Sequence, residues 1–275
     1  MWRWLLRLSF TLFPAAGMAA SPPHLDAQGQ AAYRAFLAAA PPRAFAIAPG
    51  GGHAWVAEAA SDEAAEEQAL DNCRRHSEQA CVPFAVNDRN VFDSRRWPTL
   101  WGPYPDAAAA ARAPIGMKRG MRFPDLTLSD PSGRQVRVSE LGKSAIGDRV
   151  VVLHFWGSWC PHCRQEMPNL QRLAKRLKRE KITIVLIQVR EAASSARAWL
   201  KQQKISLHHY DSGARGPRDT ALTLAGGGSL ADREIARAFP STYVLGRHGV
   251  VLFSHTGPIA DWSQYRDFLR HAARN

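Results

Sequence analysis

A central sheet with helices on both faces, preceded by a smaller α+β unit, is the fold this sequence predicts, and three observations predict it. From Phe123 onward, short apolar runs alternate with amphipathic stretches, the grammar of strands and helices in turn. Two of those runs, Val150–Trp156 and Ile182–Val189, are nearly all apolar, as strands buried on both faces are. Upstream, residues 25–101 are alanine-rich and read strand, helix, strand, and a Pro/Gly-punctuated stretch at 102–120 separates the two regions.

Residues 1–20 come first. Arg3 and Arg7 flank or enter a short apolar run from Leu5 to Ala16, and Gly17, Ala19 and Ala20 precede Ser21-Pro22-Pro23. A basic start, an apolar middle and a small-residue end describe a bacterial-type secretory signal peptide. Arg7 and Pro14 interrupt the run, which is too short to span a bilayer comfortably. The rival reading is an uncleaved amphipathic anchor, and membrane anchoring is expected only in that case. The mature chain is expected in the periplasm, where disulfides persist.

In the region 25–101, Ala44–Ile47 is an apolar run ahead of the Gly50-Gly51-Gly52 turn. Ser61 is placed to cap a helix running to about His76, with Asp62 and Glu63 in its first turn. Val82–Val86 then reads as a strand stopped by Asn87-Asp88. Cys73 ends the helix and Cys81 opens the strand. A structural disulfide closing so short a loop stabilises by roughly 2–3 kcal/mol. The alternative is a second redox-active pair, with Arg74, Arg75 and His76 lowering the thiol pKa of Cys73. Residues 102–120 read as a linker, although the five alanines at 107–111 suit a short helix equally well.

In the region 121–275, Val136–Val138 is a short strand candidate, followed by the buried strand Val150–Trp156. Met167, Leu170, Leu173, Ala174 and Leu177 recur at helical spacing beyond Cys160. A second buried strand over Ile182–Val189 precedes a helix over Ala193–Gln203. Thr242–Leu245 and Val250–Phe253 form a hairpin around His248-Gly249, and the last helix is Trp262–His271.

The chemistry is concentrated where the first buried strand meets its helix, at Trp156-Gly157-Ser158-Trp159-Cys160-Pro161-His162-Cys163. A cysteine at a helix N-terminus has its thiolate stabilised by the positive helix end and unpaired backbone N–H groups. Cys160 is therefore the expected nucleophile, and Cys163, one turn in, the resolving thiol.

Residues 121–270 resemble the TlpA/ResA-type thioredoxin-like proteins, exported thiol–disulfide oxidoreductases. Phe123-Pro124-Asp125-Leu126, the run from Phe155 through Cys160 and Cys163 to Pro168, and Phe239-Pro240-Ser241-Thr242 carry the resemblance. It implies a thioredoxin-like fold and a cis-proline at Pro240 facing the disulfide. With Trp159 and Phe239, Pro240 would shape a substrate groove. It also implies that Glu166 is the family's active-site acid; on a helix Glu166 shares a face with Cys163, and a partly buried carboxylate there relays a proton. The alternative for Glu166 is a solvent-facing carboxylate favoured by the helix dipole. His154 departs from the family, which often has asparagine there, and is read as a satisfied or edge-exposed histidine rather than a modulator of the thiols. The Pro161-His162 pair matches the DsbA-type oxidants, so both residues are expected to tune the couple towards oxidation. The resemblance suggests reducing work, such as preparing apocytochrome or copper-site cysteines in cytochrome c maturation, and the Pro-His pair suggests oxidising or isomerising work; the direction stays open.

Competing chemistries fit less well. The formal net charge of +12 favours acidic partners, yet no nucleic-acid motif accompanies it and the basic residues are scattered. A zinc site needs a second Cys/His pair at ligand spacing, whereas His208 and His209 are adjacent and project oppositely on a strand. A c-type haem needs histidine directly after Cys163, and that residue is Arg164. No cofactor and no metal is expected. The partners expected are exported protein thiols or disulfides and a membrane or soluble redox partner, without nucleic acid. The alternative is a non-catalytic thioredoxin-fold binding protein or a copper carrier for an exported partner.

Overall fold

A computed structural model of the chain describes residues 21–143, 149–217 and 220–275. The signal-peptide reading of residues 1–20 lies outside them.

The N-terminal unit starts with helix α1 (Ala27–Ala38), whose first turn is capped by the Asp26 carboxylate accepting from the Gly29 N–H at 2.8 Å. Strands β1 (Ala44–Ile47) and β2 (His53–Val56), helix α2 (Asp62–His76), and strands β3 (Val82–Val86) and β4 (Arg89–Asn90) follow. The strands form an antiparallel sheet in the order β2-β1-β3-β4. Ser61 caps α2, its hydroxyl accepting from the Ala64 N–H at 3.1 Å. Acidic Asp62 and Glu63 stand at the helix start and basic Arg74, Arg75 and His76 at its end, each complementing the helix dipole. Strand β1 shows no polar alternation because both of its faces are covered. Phe45 and Ile47 pack with Tyr33 and Phe36 of α1, and Ala44 and Ala46 pack with Ala65, Ala69 and Cys73 of α2.

Cys73 and Cys81 are joined across the α2–β3 connection, with Cα atoms 6.1 Å apart. For so short a loop the chain-entropy contribution is about 2–3 kcal/mol. The Cys73→Ala/Cys81→Ala protein is therefore expected to melt several degrees lower while keeping full exchange through Cys160. Loss of exchange at unchanged melting temperature would instead mark the pair as part of the redox chemistry.

The segment 102–120 contains helix α3 (Ala107–Arg112), capped by Asp106 accepting from the Ala109 N–H at 2.7 Å. Beyond it come β5 (Thr127–Ser129), β6 (Gln135–Arg137), β7 (Val150–Trp156), helix α4 (Pro161–Arg176) and β8 (Ile182–Gln188). Helix α5 (Ala193–Gln202), β9 (His208–Asp211), the small hairpin of β10 (Ala221–Thr223) and β11 (Ser229–Ala231), and the one-turn α6 (Asp232–Ile235) continue the chain. Strands β12 (Ser241–Leu245) and β13 (Val251–Thr256), a 3₁₀ turn at Trp262–Tyr265 and α7 (Arg266–Arg274) complete it.

Seven of these strands form one mixed sheet in the order β13-β12-β7-β8-β9-β5-β6. Only β7, β8 and β9 run parallel, and the α4 and α5 crossovers between them explain why. The sheet separates two cores. Val150, Val152 and Trp156 face α4 and α7, packing with Met167, Leu170, Phe268 and Leu269. Val151, Leu153 and Phe155 face the opposite layer, with Phe123, Leu126 and Tyr243. This is the thioredoxin-like fold, a central mixed sheet with helices on both faces.

The N-terminal unit lies against the β13 edge of this sheet. The Gln79 side-chain amide donates to the Leu252 carbonyl at 2.9 Å, and both groups are buried. Gly50 sits at φ +85°, and a Cβ there would come within 2.3 Å of the Phe253 ring, so glycine is what lets the β1–β2 turn approach β13. Trp101, at the end of a 3₁₀ turn spanning Trp97–Trp101, is fully buried and stacks on Phe268 with ring centroids 4.0 Å apart. Edge pairing on β13 is completed by the Gly120 N–H donating to the Val251 carbonyl and the Val251 N–H donating to the Met121 carbonyl, at 2.9 and 2.8 Å. The N–H and carbonyl that Val251 would present on an open edge are thereby covered.

Candidate active site

Strand β7 ends at Trp156, and four residues carry the chain to the N-terminus of α4. Gly157 leaves room for the Trp159 indole, which a Cβ would meet at 2.2 Å. The indole N–H of Trp159 donates to the Val189 carbonyl at 3.1 Å. Ser158 is pinned from the other side, its N–H donating to Glu191 Oε1 at 2.7 Å and its hydroxyl bonding the second oxygen of the same carboxylate. Cys160 then occupies the N-cap position of α4, and Pro161 takes the first turn, where a missing N–H costs nothing.

Cys160 Sγ accepts the N–H of Cys163 at 3.2 Å, the helix-end interaction that stabilises a sulfur anion. The two cysteines are joined, with Cα atoms 5.3 Å apart. Cys163 is wholly buried, and the residues between the cysteines, Pro161 and His162, are exposed.

The Phe239-Pro240 bond is cis and opens β12 beside the cysteines, with the Phe239 carbonyl oxygen 3.5 Å from Cys160 Sγ. The Trp159 and Phe239 rings meet edge to face at 5.4 Å. Trp159 is 45% exposed and is the principal apolar surface beside the disulfide. The guanidinium of Arg190 lies over the Phe239 ring at 5.2 Å and forms a buried ion pair with Asp232. Trp159, Phe239 and Pro240 are thus brought together around the Cys160–Cys163 disulfide, with His162 exposed beside it.

Glu166, one turn beyond Cys163, points inward. It is 3% exposed, and its Oε1 accepts the indole N–H of Trp262 at 2.5 Å. Its Oε2 is buried with no hydrogen-bond partner among the described residues. Burial pushes its pKa up to about 8, against the opposing effect of the Trp262 hydrogen bond and the Ile259 backbone. The solvent-facing alternative for this carboxylate does not hold.

His154 is not edge-exposed. It is fully buried on β7, on the face turned towards α4, where its Nδ1 lies 3.0 Å from Thr242 Oγ1 and its ring 6.3 Å from that of Trp262. Burial pushes its pKa down to about 3, so it is a neutral imidazole at neutral pH, and its Nε2 has no partner among the described residues.

Trp262, Glu191 and the Arg190–Asp232 pair are members of the site that motif reading does not single out, and Thr242 appears there only as the end of a motif, with no role. Thr242 had a signal, because it follows Phe239-Pro240-Ser241. Trp262 had none, being 96 residues from the carboxylate it serves. Among the described residues no three His, Cys, Asp or Glu side chains converge as metal ligands.

The raised pKa of Glu166 has a consequence for stability. An acid whose folded pKa exceeds its unfolded one contributes stability that is fully present below the unfolded value, near 4.5, and is lost as pH rises towards about 8. The contribution changes by about 1.4 kcal/mol per pH unit inside that window. Glu166→Gln, which cannot ionise, is expected to melt increasingly above the unaltered protein between pH 5 and pH 8. Parallel melting curves across that range would refute the buried, protonated carboxyl.

Residues 120–254 match the AhpC/TSA family. The chain is 30% identical over 146 residues to the thioredoxin-like protein YneN of Bacillus subtilis, covering 52% of this chain and 74% of that one. It is 26% identical over 154 residues to the thiol-disulfide oxidoreductase ResA of Bacillus subtilis, covering 56% and 75% of the two chains. Similarity to the thiol:disulfide interchange protein DsbE of Pseudomonas aeruginosa is 28% identity over 153 residues, covering 54% and 72%. Among solved structures, a thioredoxin-family thiol:disulfide interchange protein from Chlorobium tepidum is similar, with a TM-score of 0.40 and 19% identity over 55% of this chain and 95% of that one.

Proposed function

The chain belongs to the thioredoxin-like family of thiol–disulfide oxidoreductases, and on that premise we propose that it exchanges disulfides with protein substrates outside the cytoplasm, through Cys160 as attacking sulfur and Cys163 as resolving thiol. The single observation that carries this reading is the placement of Cys160 Sγ at the N-terminus of α4, accepting the Cys163 N–H at 3.2 Å. The thioredoxin-like unit is assigned to residues 121–275 and the N-terminal unit to 25–101. No helix among the described residues is long and apolar enough to cross a membrane.

In the reducing direction, the Cys160 thiolate attacks one sulfur of a substrate disulfide. A bond forms between Cys160 and that sulfur, the substrate S–S bond breaks, and the second substrate sulfur leaves as a thiolate. Cys163 then loses its proton and attacks Cys160 Sγ, breaking the mixed disulfide and releasing the first substrate sulfur. Two electrons have passed to the substrate, and the protein holds the Cys160–Cys163 disulfide. The oxidising direction runs through the same mixed disulfide in reverse.

The second step needs a proton acceptor beside a buried thiol. Glu166 stands one turn along the same helix, and its ionised form, the minor one below its pKa of about 8, takes the proton; that pKa lies close to the value for an ordinary cysteine, the match that efficient proton transfer requires. Trp159 and Phe239 offer the substrate an apolar edge beside the reacting sulfur, and the Arg190–Asp232 pair fixes the Phe239 ring from behind.

In this reading His162 tunes the couple, and the direction of flow is set by the partner that supplies or removes electrons. Exposed between the cysteines at the helix end, His162 is assigned to stabilising the reduced form, so the couple is expected to be more oxidising than thioredoxin, whose potential is roughly −270 mV. Equilibrating the chain with glutathione buffers and quantifying the Cys160–Cys163 disulfide tests this. A potential at or below that of thioredoxin removes the role assigned to His162.

A further inference from the structure

His24 stands at the head of the N-terminal unit with φ +65°. Its backbone N–H donates to Gln264 Oε1 at 2.7 Å. Its ring meets Tyr265 edge to face at 4.6 Å and Trp101 at 5.1 Å. Gln264 and Tyr265 belong to the same 3₁₀ turn as Trp262, the residue whose indole N–H reaches Glu166. Asp261 caps that turn, accepting from the Ser263 N–H and hydroxyl at 2.9 and 2.6 Å. Within the turn the Tyr265 ring touches Trp262 at 5.5 Å, and outside it Trp101 touches Tyr265 at 5.5 Å. The turn therefore has Glu166 on its inner side and His24 and Trp101 on its outer side.

We propose that the N-terminal unit is a positioning element of the redox site: His24 and Trp101 clamp the Trp262–Tyr265 turn so that Trp262 stays seated on Glu166 and keeps water from the carboxyl. The inference rests on the reading of Glu166 as the carboxyl that serves Cys163. A single 3₁₀ turn has poor hydrogen-bond geometry and holds its shape only when packed from both sides. Here one side is the helix that carries the cysteines, and the other is shared by His24 and Trp101 with Phe253 of β13, whose ring lies 5.6 Å from that of Tyr265. The proton affinity of Glu166 comes from exclusion of water, so loosening the turn lets the carboxyl ionise at lower pH.

Other titratable groups share this neighbourhood. Tyr265 lies on the turn itself, with its pKa raised by burial, and His154 lies across the Trp262 ring on β7. His255 of β13 interacts with the Pro258 backbone, next to Ile259, and its pKa is lowered by burial. Asp261 acts on His24, whose pKa burial pushes down to about 4. Cys163 is one turn back on α4. Apart from His24 itself, each of these groups, the Asp261 carboxylate included, is present in every variant that tests the clamp.

The test uses the full chain with His24→Gly, since glycine suits φ +65° and the ring is removed without new backbone strain. His24→Phe keeps a ring in place, and Gln264→Ala removes the acceptor of the His24 N–H together with the donation of the Gln264 amide to the Asp261 carboxylate at 3.3 Å. The pH dependence of exchange with a small aromatic disulfide is measured for each, alone and with Glu166→Gln, and the Glu166 carboxyl carbon is followed by NMR in the same samples. The Glu166-dependent inflection, near pH 8, is expected to fall by a unit or more in His24→Gly, a tenfold loss of proton affinity. Gln264→Ala moves it the same way by less, and His24→Phe leaves it within a few tenths. With Glu166→Gln the His24 variants have superimposable pH profiles. An unmoved carboxyl resonance in folded His24→Gly, or an equal shift in His24→Phe, overturns the clamp. Absence of exchange that depends on Cys160 overturns the functional reading instead, and the NMR titration still decides the clamp.

Discussion

Replacing Cys160 by serine is expected to reduce thiol–disulfide exchange by three orders of magnitude or more, to the level of free thiol chemistry in solution. The reason is structural rather than compositional. Cys160 is the cysteine whose sulfur takes the helix-end N–H, and it keeps 3% of its surface exposed, whereas Cys163 is wholly buried. A serine at 160 leaves Cys163 intact yet without access to a substrate sulfur. Cys163→Ser has the opposite phenotype. Attack still occurs, but nothing resolves the product, so a mixed disulfide between Cys160 and the substrate accumulates and is seen as a reducible, substrate-sized mass increase. If Cys160→Ser retained more than a few per cent of the rate, or if the trapped adduct mapped to Cys163, the assignment of roles would be reversed.

Trp101→Ala is the substitution expected to cost most in stability, about 3–5 kcal/mol, the range for emptying a buried aromatic site. Trp101 is fully buried, stacks on Phe268 at 4.0 Å, and meets Phe253 and Tyr265 at 5.1 and 5.5 Å. Those three neighbours belong to β13, the 3₁₀ turn and α7, so the cavity would open inside the core that supports α4. Its indole N–H has no hydrogen-bond partner among the described residues. Trp101→Phe therefore loses ring area but also removes a buried, unsatisfied donor, and is expected to cost far less than alanine. Denaturant unfolding of both variants checks this. Two separate transitions in the unaltered protein, with only the weaker one moved by Trp101→Ala, would show that the two units do not share this core.

The fold was legible where the signal is local and periodic. Val150–Trp156 and Val82–Val86 are strands at the expected bounds, and α2 follows the Ser61 cap as expected. The unforeseen elements are those whose stability comes from partners distant in sequence. Helix α1 is rich in alanine and polar residues, and what holds it is Tyr33 and Phe36 packing on β1. Strand β9, whose adjacent histidines already read as strand residues, takes its bounds His208–Asp211 from the parallel edge that β8 offers. The last helix starts as a 3₁₀ turn at Trp262–Tyr265, since Asp261 caps it through Ser263 two residues on.

The site divides in the same way. Cys160, Cys163 and the helix end are encoded within eight contiguous residues, so the motif states its own geometry. The environment of Glu166 is not. That the carboxyl shares a face with Cys163 follows from its helical spacing, but its inward burial does not, and its partner Trp262 and the N-terminal residues behind that partner come from opposite ends of the chain. His154 shows the converse. A histidine within an apolar strand is ambiguous as sequence, and only the Thr242 side chain on the neighbouring strand explains how it is accommodated.

Alkylation of the reduced protein as a function of pH tests the central claim most directly. With a limiting amount of iodoacetamide and peptide mapping, the account predicts label on Cys160 alone, with an apparent pKa well below the value of about 8.5 for an ordinary cysteine. Preferential labelling of Cys163, or a Cys160 profile that titrates at or above the ordinary value, would contradict it.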